Sequence, residues 1–123
     1  MNKIQDQRTE RRLHYNWSIR FADGFDSVLS QGQMVDISSS GGCFTCPADK
    51  YCPSLKEQIT TLFSVPRFGS DGSFDMANYN RTGKICRVEQ ITKLTNKIAI
   101  QFNKPLFFKP GEQGISESEE KIV

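Results

Sequence analysis

Apolar and polar residues alternate along much of this chain with a period of two, the spacing that turns one face of a β-strand to a core and the other to water. Over residues 12–21 the apolar positions are Leu13, Tyr15, Trp17, Ile19 and Phe21, each separated from the next by a polar residue. This predicts a first strand, and Asp23-Gly24 behind it suits the positive φ angles of a tight hairpin turn. Residues 33–37 predict a second strand and 43–46 a short third one, with Ser38-Ser39-Ser40-Gly41-Gly42 forcing a sharp change of direction between them. Ser54-Leu55-Lys56-Glu57 has the form of a helix capping box. Beyond it, however, Ile59, Thr61, Phe63 and Val65 alternate and β-branched residues are frequent, so a strand over 59–65 is expected, ended by Pro66. Residues 67–73 form a flexible loop by composition. Residues 83–91 and 97–102 predict two further strands, joined as a hairpin through Thr95-Asn96. Six short strands predict an all-β fold, a small antiparallel barrel or sandwich.

The chain has 123 residues, enough for one ordinary domain and too few for two. At 37% hydrophobic and 24% charged residues it has the balance of a folded domain that needs no disulfide framework. Sixteen Lys and Arg against 14 Asp and Glu leave a formal charge of +2, a poor match for a general polynucleotide binder. No apolar run approaches the roughly 18 residues of a membrane helix, and MNKIQDQRTERR is polar where a secretory signal is apolar. A cytoplasmic protein without membrane insertion is expected. The ends differ from the middle: residues 1–20 carry five basic groups and two acids, and 109–123 hold two lysines and four glutamates. The expected organisation is a flexible arginine-containing arm over 1–12, the barrel over 13–108, and an acidic tail or short helix over 109–123.

Four cysteines, Cys43, Cys46, Cys52 and Cys86, raise the possibilities of disulfides or a metal. A reducing compartment argues against the first. Cys43-x-x-Cys46 has half the spacing of a zinc site, but on a strand positions three apart face opposite ways, so the two thiolates cannot share one ion. Neither a metal nor a cofactor is expected. His14 is the only histidine and stands beside an arginine pair, outside any visible nucleophile constellation. The nucleophile elbow, phosphate loop and zinc-protease patterns are all missing from the sequence, so an enzyme is not expected.

Two short patterns carry chemistry. Arg8-Thr9-Glu10-Arg11-Arg12 sets arginines four apart just ahead of the first strand. Guanidinium forks match phosphate oxygens or the O6 and N7 of guanine, and their planes stack on bases. Asp36-Ile37-Ser38-Ser39-Ser40-Gly41-Gly42 ends a strand in a glycine turn. There a carboxylate can accept from a guanine edge, a hydroxyl can reach base or phosphate, and glycine lets backbone come close. Each pattern alone has a plain reading, a solvated face for the arginines and ordinary turn chemistry for the second. In this order, separated by 23 residues that read as a hairpin, they are far more specific.

Together, Arg8-x-x-x-Arg12 and Asp36-x-Ser38-x-x-Gly41 resemble the two-part signature of PilZ domains, bacterial receptors for the second messenger cyclic di-GMP. The resemblance covers roughly residues 7–105 and includes Gly42, the strand behind it, and the strands over 83–88 and 98–102. It implies a six-stranded antiparallel β-barrel with the nucleotide on one outer face and the N-terminal arm closing over it. Arg8 and Arg12 would take phosphates and guanine edges, Asp36 and Ser38 would read a guanine, and Gly41 would keep the turn open. Gln7, Arg11 and Gly42 would be secondary contacts. Gln7 stands where an arginine in some relatives favours a stacked ligand pair, so its identity argues against that pair. The signal would pass through ordering of the arm to an unidentified effector protein, in processes such as motility, exopolysaccharide production or biofilm formation. Two rivals stay open: a PilZ-like protein-interaction adaptor that binds no nucleotide, and a barrel that binds single-stranded RNA through Tyr15, Trp17 and Phe21.

Overall fold

The computed structural model of the chain describes residues 10–23, 29–69 and 71–113. Every element in it is a strand: β1 (Leu13–His14), β2 (Ser18–Ala22), β3 (Ser30–Ile37), β4 (Gly41–Pro47), β5 (Gln58–Phe68), β6 (Phe74–Thr92) and β7 (Thr95–Phe102). All pairings are antiparallel. Hydrogen bonding runs β3–β2–β5–β6–β7–β4 and returns to β3, which closes a six-strand barrel. β1 is an extra short strand on β3, with Leu13 opposite Ile37 and His14 opposite Asp36. The six staves are the six strands that the alternation predicts.

The same alternation fills the barrel. Ile19 and Phe21 of β2, Met34 and Ile37 of β3, Phe44 of β4, Ile59, Phe63 and Val65 of β5, Ile85 of β6 and Ile98, Ile100 and Phe102 of β7 form one buried cluster. Closure also removes the sheet edges that would leave backbone donors unpaired. Thr61 is fully buried among these apolar side chains, and its hydroxyl donates to the Arg81 carbonyl at 2.8 Å. That bond removes the cost of an unmet buried donor.

Several boundaries depart from the expected ones. The first strand is interrupted over residues 15–17, where Tyr15 N donates to Val35 O and Met34 N to Trp17 O. Across β3 the ladder to β4 slips between Met34 and Asp36, a bulge that re-aims side chains. Trp17, in the interrupted stretch, is 48% exposed, while Ile19 and Phe21 are 1% and 2% exposed. Pro66 does not end β5. Pairing with β2 stops at Ile19–Phe63, so the outer edge of β5 beyond it needs no ladder N–H, and proline is tolerated there. Side chains satisfy that edge instead. The Tyr15 hydroxyl donates to Ser64 O, Gln113 Nε2 donates to Pro66 O, and Phe68 N donates to Gln113 Oε1.

The expected loop over 67–73 is the end of a hairpin. Phe68 pairs with Phe74, a bidentate Arg67–Asp75 bond flanks the turn, and Gly69 N donates to Ser73 O at 2.9 Å. β6 therefore begins well ahead of residue 83 and has 19 residues, because it serves β5 as far as Lys84 and β7 from Gly83 onward. The turn into β7 is Lys93-Leu94 rather than Thr95-Asn96, since Thr92 already pairs with Thr95. Glu57 Oε1 accepts from Ser54 N as in a capping box, but Glu57 N donates to the Ser54 backbone carbonyl rather than to its hydroxyl, and the turn leads into β5. After β7 the chain folds back on the barrel. Arg81 donates to the carbonyls of Lys104 and Pro105, and Leu106 and Pro110 are buried. Residues 114–123, 1–9 and the expected turn at Gly24 lie outside the described residues.

Candidate functional site

The turn 38–41 joins β3 to β4 and is fastened on every side. Ser38 N donates to Gly41 O at 2.8 Å, the Ser38 hydroxyl reaches the same carbonyl at 3.3 Å, and Ser40 N donates to Ser38 Oγ at 3.3 Å. The Ser39 and Ser40 carbonyls accept from Leu106 N and Phe102 N, both at 2.8 Å. Side chains are excluded behind the turn: a Cβ on Gly41 would stand 2.3 Å from Ile100 O, and one on Gly42 2.9 Å from Asp36 O. These glycines let β3, β4 and β7 close up. That packing role adds to the access role which the sequence pattern implies for Gly41.

Asp36 is carried on the outer face of β3, opposite Cys43. It is 7% exposed, and Arg12 lies over it with Nη1 3.4 Å from Oδ1. Charge-assisted N–H···O bonds run at roughly 2.7–2.9 Å, so this ion pair is long. Its two groups can exchange each other for a ligand.

The segment around Arg12 is held by carboxylates. Glu10, which lies between the two motif arginines, accepts from Ser39 N at 2.8 Å and from the Ser39 hydroxyl at 2.7 Å. Arg11 N donates to Glu112 Oε2 at 2.9 Å, while the Arg11 side chain is exposed. Gly111 packs so closely that a Cβ there would stand 2.4 Å from Arg11 O. The two ends of the described chain thus meet at the turn.

A cavity of about 360 Å³ opens on this face. Arg12, Ser38, Gly41 and Gly42 line its β3–β4 side, and Cys43 and Ala99 line it between that side and Cys86 and Arg87 on β6. Arg12, Ser38, Gly41 and Gly42 therefore meet at the cavity, and Asp36, which does not line it, stands beside them through its pair with Arg12. Arg11 does not line the cavity, and Gln7 and Arg8 lie outside the described residues. Sequence reading missed Glu10, Arg87 and Gln101, the last of which also lines the cavity. The only available signal for Glu10 was a carboxylate inside an arginine pattern. Nothing local marks Arg87 or Gln101, because strand register alone places them here.

Cys43 and Cys46 do face opposite ways, Cys43 under the cavity and Cys46 in the core. The partner of Cys46 is Cys52, with sulfurs 3.9 Å apart, and Asn96 Nδ2 donates to Cys52 Sγ at 3.2 Å. Burial, and then the neighbouring Cys52, push the Cys46 thiol up to about 12. His14 is exposed on β1. A larger cavity of about 440 Å³ is lined by Phe21, Lys50, Tyr51 and Cys52, and none of the motif residues reaches it.

No protein-family model and no curated protein matches this chain. Among solved structures it is similar to the Bacillus subtilis inhibitor of motility MotI/DgrA, with a TM-score of 0.63 and 11% sequence identity over 95% of this chain. The similarity covers 52% of that structure, so the chain spans about half its length. At this identity what the two share is the fold.

Proposed function

We propose that the chain is a cytoplasmic bacterial receptor for cyclic di-GMP that acts as an adaptor, by binding rather than catalysis. The observation that carries this reading is the long Arg12–Asp36 pair, set beside Ser38 and Gly41 at the mouth of one open cavity. An arginine fork matches the O6 and N7 of guanine or two phosphate oxygens, and a carboxylate beside it accepts from the guanine N–H groups. Arg8, in the same motif, is assigned to the ligand with Arg12. The fold shared with an inhibitor of motility supports the same reading. No described helix is long and apolar enough to cross a membrane.

Binding would draw the N-terminal arm across the barrel face and change the surface offered to a protein effector, in motility, exopolysaccharide production or biofilm formation. The test is calorimetry with cyclic di-GMP, with GTP and cyclic di-AMP as controls. Saturable binding selective for cyclic di-GMP is expected. Micromolar affinity corresponds to about 8 kcal/mol, and a bidentate arginine contact is worth about 1–3 of it. Arg12→Ala and Asp36→Ala should each weaken binding about fivefold or more with the fold intact. Unchanged affinity in both variants rejects the site.

A further inference from the structure

The motif residues that line the cavity, Arg12, Ser38 and Gly41, lie on its β3–β4 side, yet the cavity continues to β6. Antiparallel register explains what stands there. Asp36 pairs with Cys43, Cys43 with Ala99 and Ala99 with Arg87, so these four residues form one row across β3, β4, β7 and β6. With strands about 4.8 Å apart, the row spans roughly 14 Å from the Asp36 backbone to that of Arg87. Only a thiol and a methyl group stand between, with the bare backbone of Gly41 alongside. The result is a low floor with a guanidinium at each end.

A break in the ladder puts the second guanidinium there. Ile85 is fully buried, and in a regular strand Arg87, two residues on, would face the core as well. Between Ile85 and Arg87 the register slips by one residue, Cys86. Arg87 is thereby turned to the outer face opposite Ala99, and Val88 takes the position opposite the buried Ile98. Bulges re-aim side chains in this way beside functional sites. Arg87 is exposed and its side chain makes no ion pair or hydrogen bond among the described residues.

We infer that Arg87 is the second cation of this site, and that the ligand lies across the strands from Arg12 to Arg87. The inference rests on the cyclic di-GMP reading. That dinucleotide has two identical halves. Arg12 and Asp36 hold one, and Arg87 takes an acceptor pair on the other, either two phosphate oxygens or guanine O6 and N7. Arg87 then distinguishes a dinucleotide from a mononucleotide, which fills only one end of the row.

Calorimetry on the wild-type chain, Arg87→Ala and Arg87→Lys tests this, with GMP as the one-ended probe. Arg87→Ala should bind cyclic di-GMP about tenfold more weakly, with unchanged melting temperature and unchanged response to GMP. Arg87→Lys should not restore affinity, since an ammonium lacks the planar fork. In the wild-type chain, cyclic di-GMP should slow alkylation of Cys86, read at that residue by mass spectrometry. Wild-type affinity in Arg87→Ala, or alkylation of Cys86 at the same rate with ligand bound, overturns the inference and leaves the receptor reading standing. A wild-type chain that binds no cyclic di-GMP removes both.

Discussion

The candidate site has two halves built by different means. Asp36, the turn 38–41, Cys43, Ala99 and Arg87 belong to the sheet, and backbone ladders fix their positions. Residues 10–12 and 111–113 form a clasp held at the site by two carboxylates on backbone N–H groups, one hydroxyl bond and the 3.4 Å Arg12–Asp36 pair, and away from it by the Gln113 bonds to Pro66 O and Phe68 N of β5. The sheet half is preorganised, which lowers the cost of binding. At the site itself, the clasp half is made of bonds that a polar ligand can replace one for one. The receptor role proposed above needs both properties, and here they are separated by strand topology.

Glycine substitutions should break this division most visibly. In Gly41→Ala the new methyl meets the backbone oxygen of Ile100 inside the β4–β7 ladder, so a stave of the barrel has to move. The expected loss is about 3 kcal/mol in denaturant unfolding, the upper range for overpacking. In Gly111→Ala the clash is as close, 2.4 Å from Arg11 O, but both partners sit in the clasp. A loss of about 1 kcal/mol or less is expected, with faster tryptic cleavage at Arg11 and Arg12. Equal losses in the two variants would show that clasp and sheet unfold as one unit.

Alkaline pH should act on the sheet half next most strongly. Cys46 lies on the core face of β4, the strand whose outer face carries Cys43, and its folded-state value of about 12 exceeds the ordinary thiol value of 9.0. A thiol raised by folding makes the unfolded chain lose its proton first. The stability is complete below pH 9.0 and falls as the pH climbs from there toward about 12. The slope is at most about 1.4 kcal/mol per pH unit for this group. Thermal melts of the wild-type chain between pH 8 and about 11 should show the decline, and Cys46→Ala should flatten it. A slope that persists in Cys46→Ala assigns the effect to other groups, such as the buried phenol of Tyr15, which burial also raises.

The sheet half was the more legible of the two in the sequence, and the reason is period. Alternation depends on neighbouring residues only, so Ile19, Phe21, Phe63 and Ile100 announce their inward face without knowledge of partners. What alternation cannot show is where a strand changes partner. β6 passes from β5 to β7 at Gly83 and Lys84, and its first part, from Phe74, was hidden in what composition marked as loop and unpatterned chain. Pro66 misled for a related reason, because the cost of a missing N–H depends on whether a neighbour stands on that side. At the site, Arg12, Asp36 and Ser38 were visible as spaced motifs. Arg87 was not, because one inserted residue reverses the face of every later position. Glu10 was hidden in plain view. Its role depends on Ser39, 29 residues away, and no local rule connects them.

Glu10 also provides the finest test of the division. Its two carboxylate oxygens accept separately from Ser39 N and Ser39 Oγ, and Gln keeps the shape while turning one acceptor into a donor. The Ser39 hydroxyl can accept from that donor, so both bonds can persist, but each loses the charge of the carboxylate. The contact is only part-buried, so local opening should become easier by about 1 kcal/mol, close to fivefold. Amide exchange at Ser39 in Glu10→Gln should quicken by about that factor. The Phe102 amide, which donates to the Ser40 carbonyl from the end of β7, should keep its wild-type rate. If both amides quicken together, the turn moves with the clasp and the sheet half is not preorganised. If neither does, Glu10 does not hold the clasp, and the exchangeable half of the site shrinks to the Arg12–Asp36 pair and the bond from Arg11 to Glu112.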